Sequence, residues 1–265
     1  ETDSAELGRG RDVVMQGRYD QLTLRAAWRV QCQYRSRKYE KAVVDVRDEL
    51  QSVLHKYGKT LPNTAPVCTQ EAVESYPSLL GRGKDGKAAK QLREDANEAF
   101  LLHGAHIMSV RHIVMGGLNE RFSGSNAGNA YGDGIYLAED AGKSDQYVIP
   151  SLVADEEDGD PVLDKLLYNK RYPHPKTDGQ PTKLCYILVC RVACGFPDRT
   201  QGPASSSGHG CISLDDPRRG VFPSTSRELG KIPGTSGKHT YHSLTVEKGG
   251  DFMVRYREFV IFHGE

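Results

Sequence analysis

The stretch from Gly117 to Val148 constrains the fold more than any other, because it changes backbone character several times in a short span. It reads as loop, short strand, turn and helix. Up to Gly134 it is rich in Gly, Ser and Asn, which tolerate positive φ and let backbone approach a ligand closely. Ile135-Tyr136-Leu137-Ala138 then alternates as a strand does, with Ile135 and Leu137 on one face and Tyr136 on the other. Asp140 is the predicted N-cap of a helix over Ala141–Val148. On that helix Ser144 and Tyr147 stand three apart and so share a face. A strand tyrosine and a helical Ser/Tyr pair can converge on one flat ring and its amide. Half-buried packing of the same tyrosines gives the same pattern, and a Gly-rich loop alone is a weak motif.

Around this stretch the chain alternates apolar runs with loops. Glu1 to about Gly17 is a polar lead-in, and residues 1–21 are read as flexible. Leu22–Val30 predicts a strand carrying the only tryptophan, Trp28. From Ser36 to Tyr57 the apolar positions Tyr39, Val43, Val46, Leu50, Val53, Leu54 and Tyr57 fall at helical spacing, and Gly58 ends the helix. Lys59–Asp95 reads as an irregular surface insertion whose few lysines form a solvated loop. Ala99–Gly104 predicts a short buried strand closed by His103 and Gly104, where a missing side chain opens the backbone to a ligand. Ser109 is expected to cap a short helix with Val110, Ile113 and Val114 inward, stopped by Gly116-Gly117.

Ile149–Thr182 reads as a loop with an acidic patch (Asp155, Glu156, Glu157, Asp158, Asp160) and several prolines, Pro161, Pro173 and Pro175 among them. Leu184–Ala193 is almost continuously apolar and predicts a central strand. Gly195–Gly250 is expected to wrap the surface with short strands, Phe252–Val254 being a candidate. Arg257–Phe262 predicts a strand with Glu258 on the face of Val260 and Phe262. A carboxylate on an apolar face is costly unless it has a partner or a task.

The chain's 265 residues suffice for one large domain, read as residues 22–265 behind the lead-in. Zero formal net charge points away from a duplex-binding protein, so no direct nucleic-acid partner is expected. No apolar run reaches membrane-spanning length and no signal peptide is evident, so no membrane partner is expected. A start at Glu1 rather than Met suggests a piece of a longer protein. Six cysteines without Cys-x-x-Cys pairs suit a reducing compartment, cytoplasm or nucleus.

Three segments together resemble the poly(ADP-ribose) polymerase catalytic domain in order and spacing. They are Asn97-Glu98-Ala99-Phe100-Leu101-Leu102-His103-Gly104, then Gly132–Ala138 running to Lys143-Ser144-Asp145-Gln146-Tyr147, then Glu258-Phe259-Val260-Ile261-Phe262. Asn119-Glu120-Arg121, Lys143-Ser144-x-Gln146-Tyr147-Val148 and Glu258-Phe259-Val260-Ile261-x-His263-Gly264-Glu265 are most similar to the tankyrase branch. Trp28-Arg29-Val30-Gln31 with the helix after it resembles the family's opening strand and helix. The resemblance covers Leu22 to Glu265.

The resemblance implies an α+β fold, a split and mainly antiparallel β-sheet with flanking helices, and NAD in the cleft. It implies NAD-dependent transfer of ADP-ribose, as single units or polymer, to protein acceptors or to the chain itself. His103, Tyr136 and Glu258 correspond to the family's catalytic His-Tyr-Glu triad. His103 would bond the adenosine ribose, Gly104 backbone and the Ser144 hydroxyl the nicotinamide carboxamide, and Tyr136 and Tyr147 would sandwich the ring. Asn119–Tyr131 takes the place of the loop over the adenosine half, with Arg121 and Tyr131 as expected NAD contacts. These roles are chemically consistent. Aromatic faces suit a cationic ring, and a fixed carboxylate near the ribose 2′-OH stabilises charge that develops as nicotinamide leaves.

The chain departs from the family pattern at Ala105, where a Ser or Thr is common, and ends before the family's usual last strand. The helical domain that precedes this fold in the DNA-dependent members is not expected within this sequence. The tankyrase zinc site has only His174 and Cys185 to match it, so no metal is expected. A catalytically silent scaffold that binds NAD or ADP-ribose is the competing reading. Retention of all three triad residues favours the enzyme.

Overall fold

The structure is a computed structural model that describes residues 22–63, 67, 92–119, 130–148, 151–152, 160–170, 183–202, 210–250, 253 and 255–262. The 1–21 lead-in, most of the 59–95 insertion, Arg121 and the acidic patch at 155–158 lie outside them, as do His174 and the Phe252 and Val254 of the candidate strand. Among the described residues no helix is long and apolar enough to cross a membrane.

The first helix, α1 (Gln33–Gln51), widens into a π turn over Ser52–Lys56. It buries Val43, Val46, Leu50 and Val53 as the apolar spacing predicts. Gly58 stops it at φ +61°, a conformation in which a side chain is strained. Strand β1 (Glu98–Gly104) is followed by α2 (Ile107–Gly116), β2 (Ile135–Ala138), α3 (Ala141–Ser144) and a 3₁₀ turn over Asp145–Tyr147. Then come β3 (Ser151–Leu152), α4 (Pro161–Leu167), β4 (Lys183–Leu184), β5 (Ile187–Ala193), β6 (Pro197–Thr200), β7 (Ser243–Val246) and β8 (Glu258–Ile261).

Six strands form one sheet in the order β5-β1-β2-β8-β7-β6, antiparallel except for the β6–β7 pair, while β3 and β4 pair separately. The β1–β5 ladder runs from Glu98 opposite Ala193 to Gly104 opposite Ile187, and β2 pairs β8 along its whole length. Between β1 and β2, however, the register consists of Leu102 opposite Ala138 alone. The sheet therefore opens at this seam, with His103 and Tyr136 on its two lips. This α+β, mainly antiparallel architecture agrees with the expectation.

One apolar cluster packs Leu50 of α1 and Val53 of the π turn against Leu244, Val246 and Val260. A second fills the other side with Ala99, Leu101, Ile135, Leu137, Phe259 and Ile261. Alternation thus sends neighbouring residues of β8 into different clusters. The buried Glu98 ties three elements together. Its carboxylate accepts from the Tyr39 hydroxyl at 2.6 Å, the Arg93 N–H at 2.7 Å and the Arg191 guanidinium at 2.6 Å.

Several local expectations are corrected. Residues 22–30 form no strand; they are largely exposed and tethered where the Trp28 indole donates to the Leu167 carbonyl at 3.1 Å and meets Tyr168 edge-on. Alternation alone makes no strand without a ladder partner. The cap of α2 is His106, whose ring nitrogen accepts from the Met108 N–H, so the helix begins before Ser109. The Ile149–Thr182 segment is not all loop. Asp160 caps α4 by accepting from Val162 and Leu163, and Pro161 sits in the first turn, where its missing N–H costs nothing. The apolar run Leu184–Ala193 breaks at Cys185-Tyr186, and β5 lies at the sheet's edge rather than its centre, leaving Val189 67% exposed. Finally, β7 does not wrap the surface. All four of its residues are buried beside β8, and the Ser243 hydroxyl is satisfied by the Cys194 carbonyl at 2.7 Å.

Candidate active site

The seam between β1 and β2 is bridged by His103. Its Nδ1 lies 2.8 Å from the Tyr136 carbonyl oxygen. A carbonyl only accepts, so Nδ1 carries the proton and Nε2 presents a lone pair in the neutral ring. Burial pulls the imidazole below its ordinary 6.5, partly opposed by that same hydrogen bond. His103 is thus held as a neutral acceptor.

Tyr136 is fixed at both ends. Its strand pairs with β8, and its hydroxyl accepts from the Tyr131 N–H and donates to the Gly132 carbonyl, each at 2.8 Å. Burial pushes the phenol well above its usual range; the Tyr131 N–H opposes this and the Glu258 charge adds to it. The ring edge packs against the cluster that holds Tyr131 and Val260. Tyr136→Phe strands the Tyr131 N–H and the Gly132 carbonyl. It is expected to lower unfolding stability by roughly 1–3 kcal/mol. A denaturant midpoint equal to the parent's contradicts this anchoring.

Gly104 ends β1 against the turn that carries Ser144. A methyl group added there would collide with the Ser144 carbonyl oxygen, so only glycine allows the two backbones to meet. Asp140 starts α3 as expected, accepting from the Gly142 N–H at 2.7 Å, although the helix tightens to 3₁₀ after Ser144. The Ser144 hydroxyl is buried and has no hydrogen-bond partner among the described residues. An orphaned buried hydroxyl beside the Gly104 backbone can hydrogen-bond a polar ligand group.

Glu258 begins β8, with its side chain 5% exposed and the Lys143 ammonium 3.6 Å away. The same ammonium lies 3.6 Å from the Met253 sulfur and 5.3 Å from the centroid of Tyr147, which is 37% exposed. Lys143 is the residue that the sequence reading missed as a site member. It stands inside the Lys143-Ser144 motif, but its burial follows only from the way α3 docks on β8. The opposite charges offset part of the cost of burying each.

The structure therefore brings together His103 with Tyr136, Gly104 with Ser144, and Glu258 with Lys143 and Tyr147. Tyr131 is placed differently from a ligand-facing residue: its ring is 3% exposed in the core cluster, and its backbone holds Tyr136. Arg121 lies outside the described residues. Among the described residues no group of three or more His, Cys, Asp or Glu could hold a metal ion.

The model of the poly(ADP-ribose) polymerase catalytic domain family matches residues 19–265. No curated protein matches the chain. Domains of this family act as ADP-ribosyltransferases, with NAD as substrate and no metal required. A match over nearly the whole sequence, on an opened antiparallel sheet with these side chains at its seam, settles the family: this chain belongs to the poly(ADP-ribose) polymerase catalytic domains.

Proposed function

We propose that the chain is an active ADP-ribosyltransferase that cleaves the nicotinamide–ribose bond of NAD and transfers ADP-ribose to protein, itself included. The observation that carries this reading is the buried Glu258 carboxylate with Lys143 at 3.6 Å, on a strand otherwise built of apolar residues. Burying this charge is costly, and stabilising the positive charge that develops on the ribose is a task that offsets it.

In this reading the Ser144 hydroxyl and the Gly104 backbone bond the nicotinamide carboxamide, while Tyr136 and Tyr147 take the two faces of the ring. The Nε2 lone pair of His103 accepts from an adenosine-ribose hydroxyl, and Arg121 and Tyr131 belong to the loop over the adenosine half. As the glycosidic bond lengthens, nicotinamide departs neutral with the bonding electrons and positive charge grows on the ribose. Glu258 bonds the 2′-OH and stabilises that charge where it develops. A nucleophile of the acceptor then forms the new bond to the anomeric carbon. Lys143 keeps the carboxylate in place.

The domain is read as residues 22–265, with motif likeness nearest the tankyrase branch. The described cysteines Cys32, Cys185, Cys190, Cys194 and Cys211 are free, which supports a reducing compartment, cytoplasm or nucleus. The test is incubation with labelled NAD followed by gel and mass analysis of the protein. Label on the chain supports transfer, and a ladder distinguishes polymer from a single-unit band. Absence of label from both the chain and added acceptor proteins overturns the reading.

His103 gives a pH signature. Its folded value lies below its ordinary 6.5, so the unfolded chain binds this proton more readily. The stability it contributes is full above 6.5 and is lost as pH falls toward the folded value. Protonation also removes the Nε2 acceptor, so NAD affinity weakens in the same acid window. Binding titrations of parent and His103→Gln down this range check it. An acid limb that persists unchanged in His103→Gln assigns the effect elsewhere.

A further inference from the structure

On the face of the β2–β8 pair opposite Glu258 stands a second buried ion pair. Ala138 opposite Glu258 ends the register, and the pair joins the residues just beyond those strand ends, Glu139 and Arg257. Arg257 is bidentate: Nε donates to Glu139 Oε1 and Nη2 to Glu139 Oε2, both at 2.7 Å, with side chains 5% and 12% exposed. Its guanidinium also lies 5.4 Å from the Phe259 ring centroid, which places it on the side of Phe259 and Ile261. Successive strand residues alternate faces, so Arg257 and Glu258 point to opposite sides of the sheet.

The chain positions of the two partners matter. Arg257 directly precedes Glu258. Glu139 directly precedes Asp140, the cap of the helix that carries Lys143 and Ser144. A planar bidentate pair fixes distance and angle together, unlike a single-point ammonium contact. We propose that the Glu139–Arg257 pair is a positioning clamp, which locks the start of β8 to the start of α3 and so sets the Glu258 carboxylate against its reacting centre. This rests on the transferase reading above. Neither residue touches substrate; both act through Glu258.

The clamp makes a prediction that a merely structural ion pair does not. Slack of the order of 1 Å at a catalytic group costs up to about a hundredfold in rate. Arg257→Lys keeps the charge but loses the fork, and Glu139→Gln keeps the shape but loses the charge. Each is expected to lower kcat for nicotinamide release by roughly ten- to a hundredfold, with KM for NAD changed by no more than about threefold. The two changes are then repeated in a Glu258→Gln background, with every variant assayed well below its own unfolding midpoint. There they are expected to cause no further loss beyond about twofold, because the group they position is gone. A merely structural pair would instead lower the unfolding midpoint and leave kcat of the folded variants near the parent's. Variants with kcat near the parent's, or losses that multiply in the Glu258→Gln background, overturn the clamp. The parent's turnover in the same assay separates the two claims. Its absence defeats the transferase reading, whereas turnover with unaffected variants defeats the clamp alone.

Discussion

Glu258→Gln is expected to slow ADP-ribose transfer by roughly two to three decades, about 3–4 kcal/mol of transition-state stabilisation. The affinity for an unreactive NAD analogue should stay within a few-fold of the parent's. The reason is timing. The carboxylate's strongest interaction exists only when charge has developed on the ribose, so its loss is felt in turnover rather than in ground-state binding. Lys143 adds a smaller stability effect. Its buried ammonium loses its counter-charge at 3.6 Å, although the amide oxygen of the variant can still accept from it. A modest fall in unfolding midpoint is therefore expected beside the large fall in rate. Thermal unfolding and analogue titration together check the split. Equal losses in binding and in turnover would make Glu258 a structural carboxylate.

Gly104→Ala is expected to be more damaging to binding than any other single methyl group in the site. The added carbon meets the Ser144 carbonyl, a backbone atom that has no flexible end to yield. Overpacking of this kind costs roughly 1–3 kcal/mol. Here the strain also pushes the end of β1 from the turn that presents the Ser144 hydroxyl, so the pair of carboxamide contacts separates. Nicotinamide affinity should fall by roughly ten- to a hundredfold, as when two hydrogen bonds of about 1 kcal/mol each are lost. Gly116→Ala serves as the control. It closes α2, nothing lies within 4 Å of its added carbon, and it should leave binding unchanged. Calorimetric titration with nicotinamide on both variants checks the contrast. Equal affinities in Gly104→Ala and Gly116→Ala would contradict the close approach.

The elements with strong local signals were legible in the sequence. The α1 stripe, the alternation in β2, the Asp140 cap and the apolar strand bearing Glu258 all depend on neighbours a few residues apart. What was not legible depends on partners far along the chain. Residues 22–30 alternate but lack a ladder. Leu184–Ala193 is apolar enough for a central strand yet sits at the edge, and Ser243–Val246 looked like surface yet lies beside β8. The α4 helix was hidden inside a stretch read as a loop for its acidic patch and prolines, when Asp160 followed by Pro161 marks a helix start. In the candidate site, motif spacing singled out His103, Tyr136, Ser144 and Glu258. The ammonium beside Glu258 and the Glu139–Arg257 pair behind it exist only once β2, β8 and α3 have docked.

The central claim is that this seam breaks the nicotinamide–ribose bond, and the most direct measurement is the time course of nicotinamide release from NAD by the purified protein. The account predicts steady release over many turnovers by the parent protein, with ADP-ribose appearing on protein in step. The same course with Glu258→Gln should be slower by roughly a hundredfold or more. Saturable NAD binding by the parent without any nicotinamide release would contradict it and leave a binding module in its place.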